Sequence, residues 1–552
     1  MKQYIYILII LLLASCYDDK GNYDYTDVNT VESGLEEVYY RFTDETIVTI
    51  DPKLSQSLEQ NKENLKFLWL HSTTGTNFYV GSSVQSKVDT VCETEELRFT
   101  IDLEDPDLKY EHYFRLTVYD TSTGVEYQYN TKLKLGKPYD GAWMILHCKD
   151  GQTELGAVEY VGEEMIVKED VYYDATGKRF QGKPLCLGRV KQGCSYYNSS
   201  SINMFSVITD IPDEAGVYNQ LYKFEKKDSL SRMVYENAQI NFDFSKVENI
   251  DGQGTRQGLL LSNGRFYQTP AAMKIYEPKI DEKLTGDVYI SHAAKIGQIT
   301  LMYDQAGHRF AQWYNFGSGG NPNPEVWADN DNPSARTLAS IPVRSDNNTD
   351  ADPNSLDPEH KVLFIGPGYF YKSSNDIYMY ANALAIDGKG GCFVYEFDAY
   401  GIGYNKKGSP AFRAYYRLNQ PEGLDENSCF ASTSDYSGIL FYSSGNTLYR
   451  FDFQQTGGKA TPVYTHPGSK RIRHMEFART EPEKAANITI GYENYGYDLS
   501  RSLGIAFEME DGTCDFVVLN LSANGYIGSD NGVFPAKQVH EGFGEITDFV
   551  FL

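Results

Sequence analysis

Two groups of side chains in this chain have types and spacing suited to holding a ligand. Lys470-Arg471-Ile472-Arg473-His474 is the densest basic run in a sequence of formal net charge −26. Three fixed cations and an imidazole so close together would attract an anion. The run follows the turn Pro467-Gly468-Ser469 and leads into Met475-Glu476-Phe477, so in a repetitive β fold it would lie in a loop beside a central channel. Pairing with neighbouring surface acids is the alternative. The second group is Tyr492, Tyr495 and Tyr497, set among Gly491, Glu493, Asn494 and Gly496. Such rings stack on a sugar or an aromatic chelator while their hydroxyls form hydrogen bonds. Tyr369 and Tyr371 have the same potential, and cross-strand packing is the alternative for all five. The candidate ligand-binding set is therefore Lys470, Arg471, Arg473, His474, Tyr492, Tyr495 and Tyr497. If the two segments share one pocket, an anionic aromatic ligand is expected.

No motif assigns a catalytic residue, a metal ligand or a cofactor. HExxH, GxSxG and P-loop patterns are all missing from the sequence. Thr433-Ser434-Asp435-Tyr436-Ser437-Gly438 loosely resembles an Asp-box of sialidase propellers, with one residue too many and no sibling copies. In residues 346–352 oxygen-bearing side chains alternate, and Asp357 falls where a twelfth ligand of a calcium loop would sit. Ala351 occupies the position where such loops need Gly, so a solvated acidic insertion is the expectation. Paired carboxylates for glycoside hydrolysis stay open as a rival, given 76 Asp and Glu.

The elements that must position these residues begin with Leu13-Ala14-Ser15-Cys16. That stretch ends an apolar run from Ile5 to Ala14, which follows the single basic residue Lys2. The run is too short to span a bilayer and reads as a secretory signal. A small residue directly before a cysteine there resembles the lipobox of bacterial lipoproteins. The resemblance implies cleavage before Cys16 and lipidation of Cys16; an ordinary signal peptide with an incidental cysteine is the alternative. Residues 16–35 are polar and aperiodic, which suits a flexible tether. The acidic residues after Cys16 resemble the export signal of surface lipoproteins in Bacteroidetes, with a periplasmic address as the alternative. The negative charge argues against nucleic acid, whose phosphates need Lys and Arg. Eight cysteines occur without any CxxC pair. Buried single thiols are expected, with a local Cys186–Cys194 bridge as the other possibility.

Tyr at 44 residues, Phe at 29 and frequent Gly favour an all-β chain. Residues 36–136 hold short alternating strands, a central Trp69 and the hairpin turn Asp120-Thr121-Ser122-Thr123-Gly124. That is the pattern of a small β-sandwich of immunoglobulin type. Beyond Gly136-Lys137-Pro138-Tyr139-Asp140-Gly141, hairpins recur: Leu259–Leu261 with Arg265–Tyr267, Gly438–Tyr442 with Thr447–Phe453, and Ile505–Met509 with Phe516–Leu521. Residues 141–552 thus read as a β-propeller, of roughly seven or eight blades at about 50 residues each. The last strand, Glu545–Leu552, is expected to pair beside Trp143 and close the ring. Residues 317–360 interrupt the rhythm as a long insertion.

Signal, polar tether, Trp-bearing sandwich and the seam Tyr139-Asp140-Gly141-Ala142-Trp143 together resemble the PKD-like lipoprotein family of Bacteroidetes. In that family the seam reads Tyr-x-Gly-Trp, and here Ala142 intervenes. The resemblance implies an outer-membrane lipoprotein exposed at the cell surface. It also implies company: a TonB-dependent receptor and a SusD-like lipoprotein of a nutrient-uptake locus. The expected function is non-enzymatic capture of a glycan, peptide or anionic metal chelate for that importer. A propeller glycoside hydrolase and a non-binding structural accessory are the alternatives.

Overall fold

The computed structural model describes residues 28–42, 47–58, 61–75, 78, 88–102, 111–136, 139, 141–161, 164–190, 204–219, 224–234, 241–250, 259–268, 277–278, 287–296, 299–314, 340–341, 343, 351–372, 377–399, 412–478, 488–490, 493–495, 499–528 and 535–552. The chain divides into two compact units, Met1–Leu135 and Gly136–Leu552. Cys16 and the tether up to residue 27 lie outside the described residues.

The first unit is a β-sandwich. Its larger sheet orders Val38–Phe42, Val125–Gly136, Glu111–Asp120, Leu65–Ser72 and Val88–Cys92. Ile47–Ile50 pairs with Leu97–Thr100 in a second layer. Along Glu111–Asp120 the even positions His112, Phe114, Leu116 and Val118 are buried. That period of two turns one face of the strand to the core and leaves the other polar. Trp69 is completely buried at the centre, and its indole N–H donates to the carbonyl of Glu95 at 3.1 Å. A buried indole needs such an acceptor.

The second unit is a seven-bladed propeller, counted among the described residues. Blade 1 runs from its inner strand Glu545–Phe551 outward through Trp143–Lys149, Gln152–Val161 and Glu164–Lys168. The inner strands of blades 2 to 7 are Pro184–Val190, Val247–Asn249, Ile290–Ile296, Lys361–Lys372, Phe430–Ala431 and Ser469–Phe477. Every blade is antiparallel, and every one but the fourth shows four strands; blade 4 shows three. The ring closes as the sequence suggests, with Trp143 opposite Phe551 and Ile145 opposite Phe549. The C-terminal strand thus completes the sheet of the first blade after the seam.

Seven separate apolar clusters hold the ring, one between each pair of neighbouring sheets. Cys186, Ile208, Leu260 and Tyr267 join blades 2 and 3, for example, while Leu440, Phe451, Leu384 and Val394 join 5 and 6. The seventh cluster joins the last blade to the first through Trp143, Phe516, Phe549 and Phe551. Each blade is therefore buried on both faces, which explains runs such as Trp143-Met144-Ile145-Leu146 in which every residue is covered. Gly504 sits inside the closing cluster, where a Cβ would come within 3.0 Å of Phe549, Trp143 and Phe516.

Candidate functional site

The inner strands of all seven blades converge on a central cavity of about 530 Å3. That size is ordinary for a small-molecule pocket. Its wall is partly apolar, with Leu185, Phe364, Pro367 and Phe430, and partly polar. Blade 3 contributes Glu248 and Asn249, blade 4 Lys295 and blade 6 Ser432. Blade 7 contributes His474 and Glu476, and blade 1 Asp548. Asn249 reaches its position because residue 188 is Gly: a Cβ there would fall 1.4 Å from its side-chain nitrogen.

The electrostatics are set by acids held away from bulk water. Burial pushes the Glu248 carboxyl above the usual carboxylate range. Burial also raises Glu476, and the nearby charge of Asp548 adds to it. For His474 burial acts downward, but the carboxylates of Asp548 and Glu476 outweigh it and hold the imidazole up at about 10. His474 Nε2 lies 3.1 Å from Asp548 Oδ1 and 3.9 Å from Glu476 Oε2. These side chains are 34%, 17% and 25% exposed, and that exposure is to the cavity. Cys186 also lines the wall, and burial keeps its thiol protonated. The six cysteines in described segments are all free thiols, Cys186 among them.

The sequence-derived set is divided by the structure. Lys470 to His474 do not form a loop: all five lie within the inner strand Ser469–Phe477. Two extra residues, Lys470 and Arg473, are accommodated there, so the run continues the sheet instead of leaving it. Only His474 reaches the cavity wall. Lys470 donates to the carbonyl of Glu510 at 2.9 Å, and Arg471 pairs with Glu508 at 2.8 Å. Arg473 bridges Glu508 and Glu545. Tyr495 lies in the short hairpin Ile488–Ile490 with Glu493–Tyr495, and Tyr492 and Tyr497 fall outside the described residues. Tyr369 belongs to the inner strand of blade 5, with its ring 6.5 Å from that of Tyr380. Residues 346–350 of the acidic loop lie outside the described residues, while Asp352 and Asp357 accept the N–H groups of Asn354 and Glu359. Sequence reasoning passed over Glu248, Lys295, Glu476 and Asp548. A usable signal existed for the last: Asp548 is a charge set in the interior of the closing strand, between Ile546 and the apolar run Phe549–Phe551.

A family model described as the PKD-like family matches residues 16–184. No curated protein matches the chain in sequence. Among solved structures, a quinonprotein alcohol dehydrogenase-like protein from Bacteroides thetaiotaomicron VPI-5482 aligns at 10% identity and TM-score 0.37, over 95% of this chain and 99% of that one. Apo AztD from Citrobacter koseri aligns at 10% identity and TM-score 0.33, over 79% of this chain and 94% of its own. The WD40 domain of SCAP from fission yeast aligns at 10% identity and TM-score 0.28, over 72% and 79%.

Proposed function

We propose that this protein is a lipid-anchored capture protein whose propeller channel holds a small polar nutrient for an outer-membrane importer. The observation that carries the reading is the cavity itself: about 530 Å3, walled by every blade, with acids and a lysine placed among apolar side chains. A few fixed polar groups on an apolar wall orient a ligand. With Arg471 and Arg473 committed to Glu508 and Glu545, the positive surface that would favour an anionic chelate is already neutralised. A peptide or glycan, which presents both donors and acceptors, suits Glu248, Asn249 and Lys295 better.

The anchor is Cys16, and the family match begins at that residue. In this reading the chain sits on the outer membrane facing outward, beside a TonB-dependent receptor and a SusD-like lipoprotein. Two acyl signals or more hold a protein stably on a bilayer, each buried methylene contributing about 0.8 kcal/mol. Labelled palmitate should enter the chain in cells and be lost with Cys16→Ala; an unlabelled wild-type chain in the medium rules the anchor out.

The capture reading is tested by calorimetric titration of the full chain with peptides and oligosaccharides. Glu248→Ala and Lys295→Ala should each weaken the best ligand about 10-fold, the worth of one good buried polar contact. Unchanged affinity in both variants would remove the channel from consideration. A hydrolase would need two carboxylates flanking an open gap for the scissile bond. Here Glu476 and Asp548 both stand within 4 Å of His474 Nε2 and serve as its charge partners.

A further inference from the structure

We propose that His474, Glu476 and Asp548 form a divalent-cation site in the channel wall, suited to a borderline transition cation such as Zn2+. One nitrogen and two carboxylate oxygens offer donor atoms that all lie within 4.8 Å of one another. Tetrahedral zinc at about 2.0–2.1 Å sets neighbouring donors roughly 3.3 Å apart. The observed separations from His474 Nε2, 3.1 Å and 3.9 Å, bracket that figure. A cation would take the place of the Nε2 proton. The fourth position would face the cavity, as in zinc sites that keep one open.

Three further features place and brace the trio. First, His474 Nε2 is a buried atom turned toward both carboxylates, with Asp548 Oδ1 3.1 Å away and Glu476 Oε2 3.9 Å away. Second, register shifts, which also occur in the inner strands of blades 2, 4 and 5, fall in both contributing strands one residue before the donor. In the inner strand of blade 7 the pairing skips Arg473. Ile472, Met475 and Phe477 consequently share the apolar core, and His474 and Glu476 turn away from it. In the inner strand of blade 1 the pairing skips Thr547, so Ile546 and Phe549 share one core and Asp548 is released from it. An unbroken alternation would have put His474 on the face of Ile472 and Asp548 on that of Ile546. Third, the surroundings brace the donors. The Leu187 N–H donates to Asp548 Oδ2 at 2.7 Å, the Phe549 ring meets His474 edge-on at 4.7 Å, and Cys429 Sγ donates to the Arg473 carbonyl at 3.1 Å. Such outer contacts orient ligands and sharpen metal affinity.

The site does not depend on which nutrient the channel takes, because Glu248 and Lys295 stand on blades 3 and 4, across the ring from blades 7 and 1. The test is metal uptake by the chelator-treated full chain with Zn2+ alone, in excess Mg2+ and Ca2+. One tight equivalent is expected, with X-ray absorption showing one nitrogen and two or three oxygens at about 2.0–2.1 Å and no sulfur. Glu476→Gln and Asp548→Asn should each weaken uptake at least about 10-fold, and Arg471→Ala should leave it intact. Substoichiometric uptake by the wild-type chain, a sulfur scatterer, or uptake retained in both carboxamide variants overturns the site. Should those variants fail to fold, the absorption spectrum of the unaltered chain decides alone.

Discussion

The ring nitrogen Nδ1 of His147 accepts a hydrogen bond from the backbone N–H of Gly544 at 3.2 Å, across 397 positions of sequence. Nε2 stands 2.9 Å from the carbonyl of Glu169, so it carries the proton and donates. The neutral imidazole thus bolts the first strand after the seam to the residue that opens the closing strand. His147 is fully buried, with the Phe543 ring edge-on at 5.4 Å.

Burial pushes the His147 pKa down to about 4, more strongly than the Glu169 carbonyl raises it. In the unfolded chain it titrates near 6.5. Between these values the unfolded state binds the extra proton. The stabilisation is therefore complete above pH 6.5 and is lost as pH falls through about 4. From pH 7 to pH 5 the loss is roughly 2 kcal/mol. His292 is likewise held at about 4 by burial, so urea titrations of the full chain at the two pH values should show a wild-type drop that exceeds the His147→Gln drop by about that amount. Equal slopes would mean His147 is not the titrating group.

Trp143 carries the other half of the closure. Its indole meets Phe516, Phe549 and Phe551 edge to face, with ring centroids 5.4, 5.6 and 5.2 Å away. Trp143→Ala should cost about 3–5 kcal/mol, the usual loss for a buried aromatic. Because the cavity would open between blades 7 and 1, hydrogen exchange should rise first in Glu545–Phe551 and Cys514–Asn520. Exchange that rises equally in all blades would argue against a local seam.

The closure was readable beforehand because a Trp-led apolar strand at one end and a Phe-rich strand at the other call for each other. Blade hairpins were equally readable where a short Gly- or Asn-bearing turn separates alternating arms, as at Asn263-Gly264 with φ of 47° and 74°. The channel was not. Its residues are a few positions on each of seven strands distant in sequence, and five of those strands, the inner ones of blades 1, 2, 4, 5 and 7, shift phase. A reader counting alternation from Ile472 would put His474 in the core. Local density of charge drew attention to Arg471 and Arg473, whose partners Glu508 and Glu545 lie 37 and 72 residues away.

Those two arginines yield a prediction opposite in sense to the sequence-based one. Burial pushes the Glu508 carboxyl up, but the hydrogen bonds and charges of both guanidinium groups together outweigh it and hold the carboxyl below its usual range. Arg471 is 57% exposed, so its pair is screened. The double variant Arg471→Ala/Arg473→Ala should lower stability by about 1 kcal/mol and leave ligand affinity in the channel unchanged. Calorimetric titration and thermal melting of the same sample read both quantities. A tenfold loss of affinity would restore the basic run as a binding surface.

The sandwich has its own polar keystone in Asp120, at the end of the strand Glu111–Asp120. Its Oδ1 accepts the Ser122 N–H at 2.8 Å, the Ser122 hydroxyl at 2.6 Å and the Asn64 amide at 3.0 Å. Oδ2 accepts the Asn29 amide at 3.1 Å. Burial alone would raise this carboxyl, but the four donors outweigh it and hold it far below the carboxylate range. Its stabilisation is therefore present above the ordinary Asp pKa of 3.8 and is lost only as pH falls through the lower folded value. At neutral pH, Asp120→Ala leaves two amides and a turn without their acceptor and should cost roughly 2–4 kcal/mol. Asp120→Asn should cost less, since one oxygen remains to accept while the new NH2 faces a donor. Hydrogen exchange of residues 111–136 in both variants checks the order: fast in Ala, intermediate in Asn, slow in the wild type. Protection in Asn no lower than in the wild type would show that the negative charge is dispensable and that shape alone holds this turn.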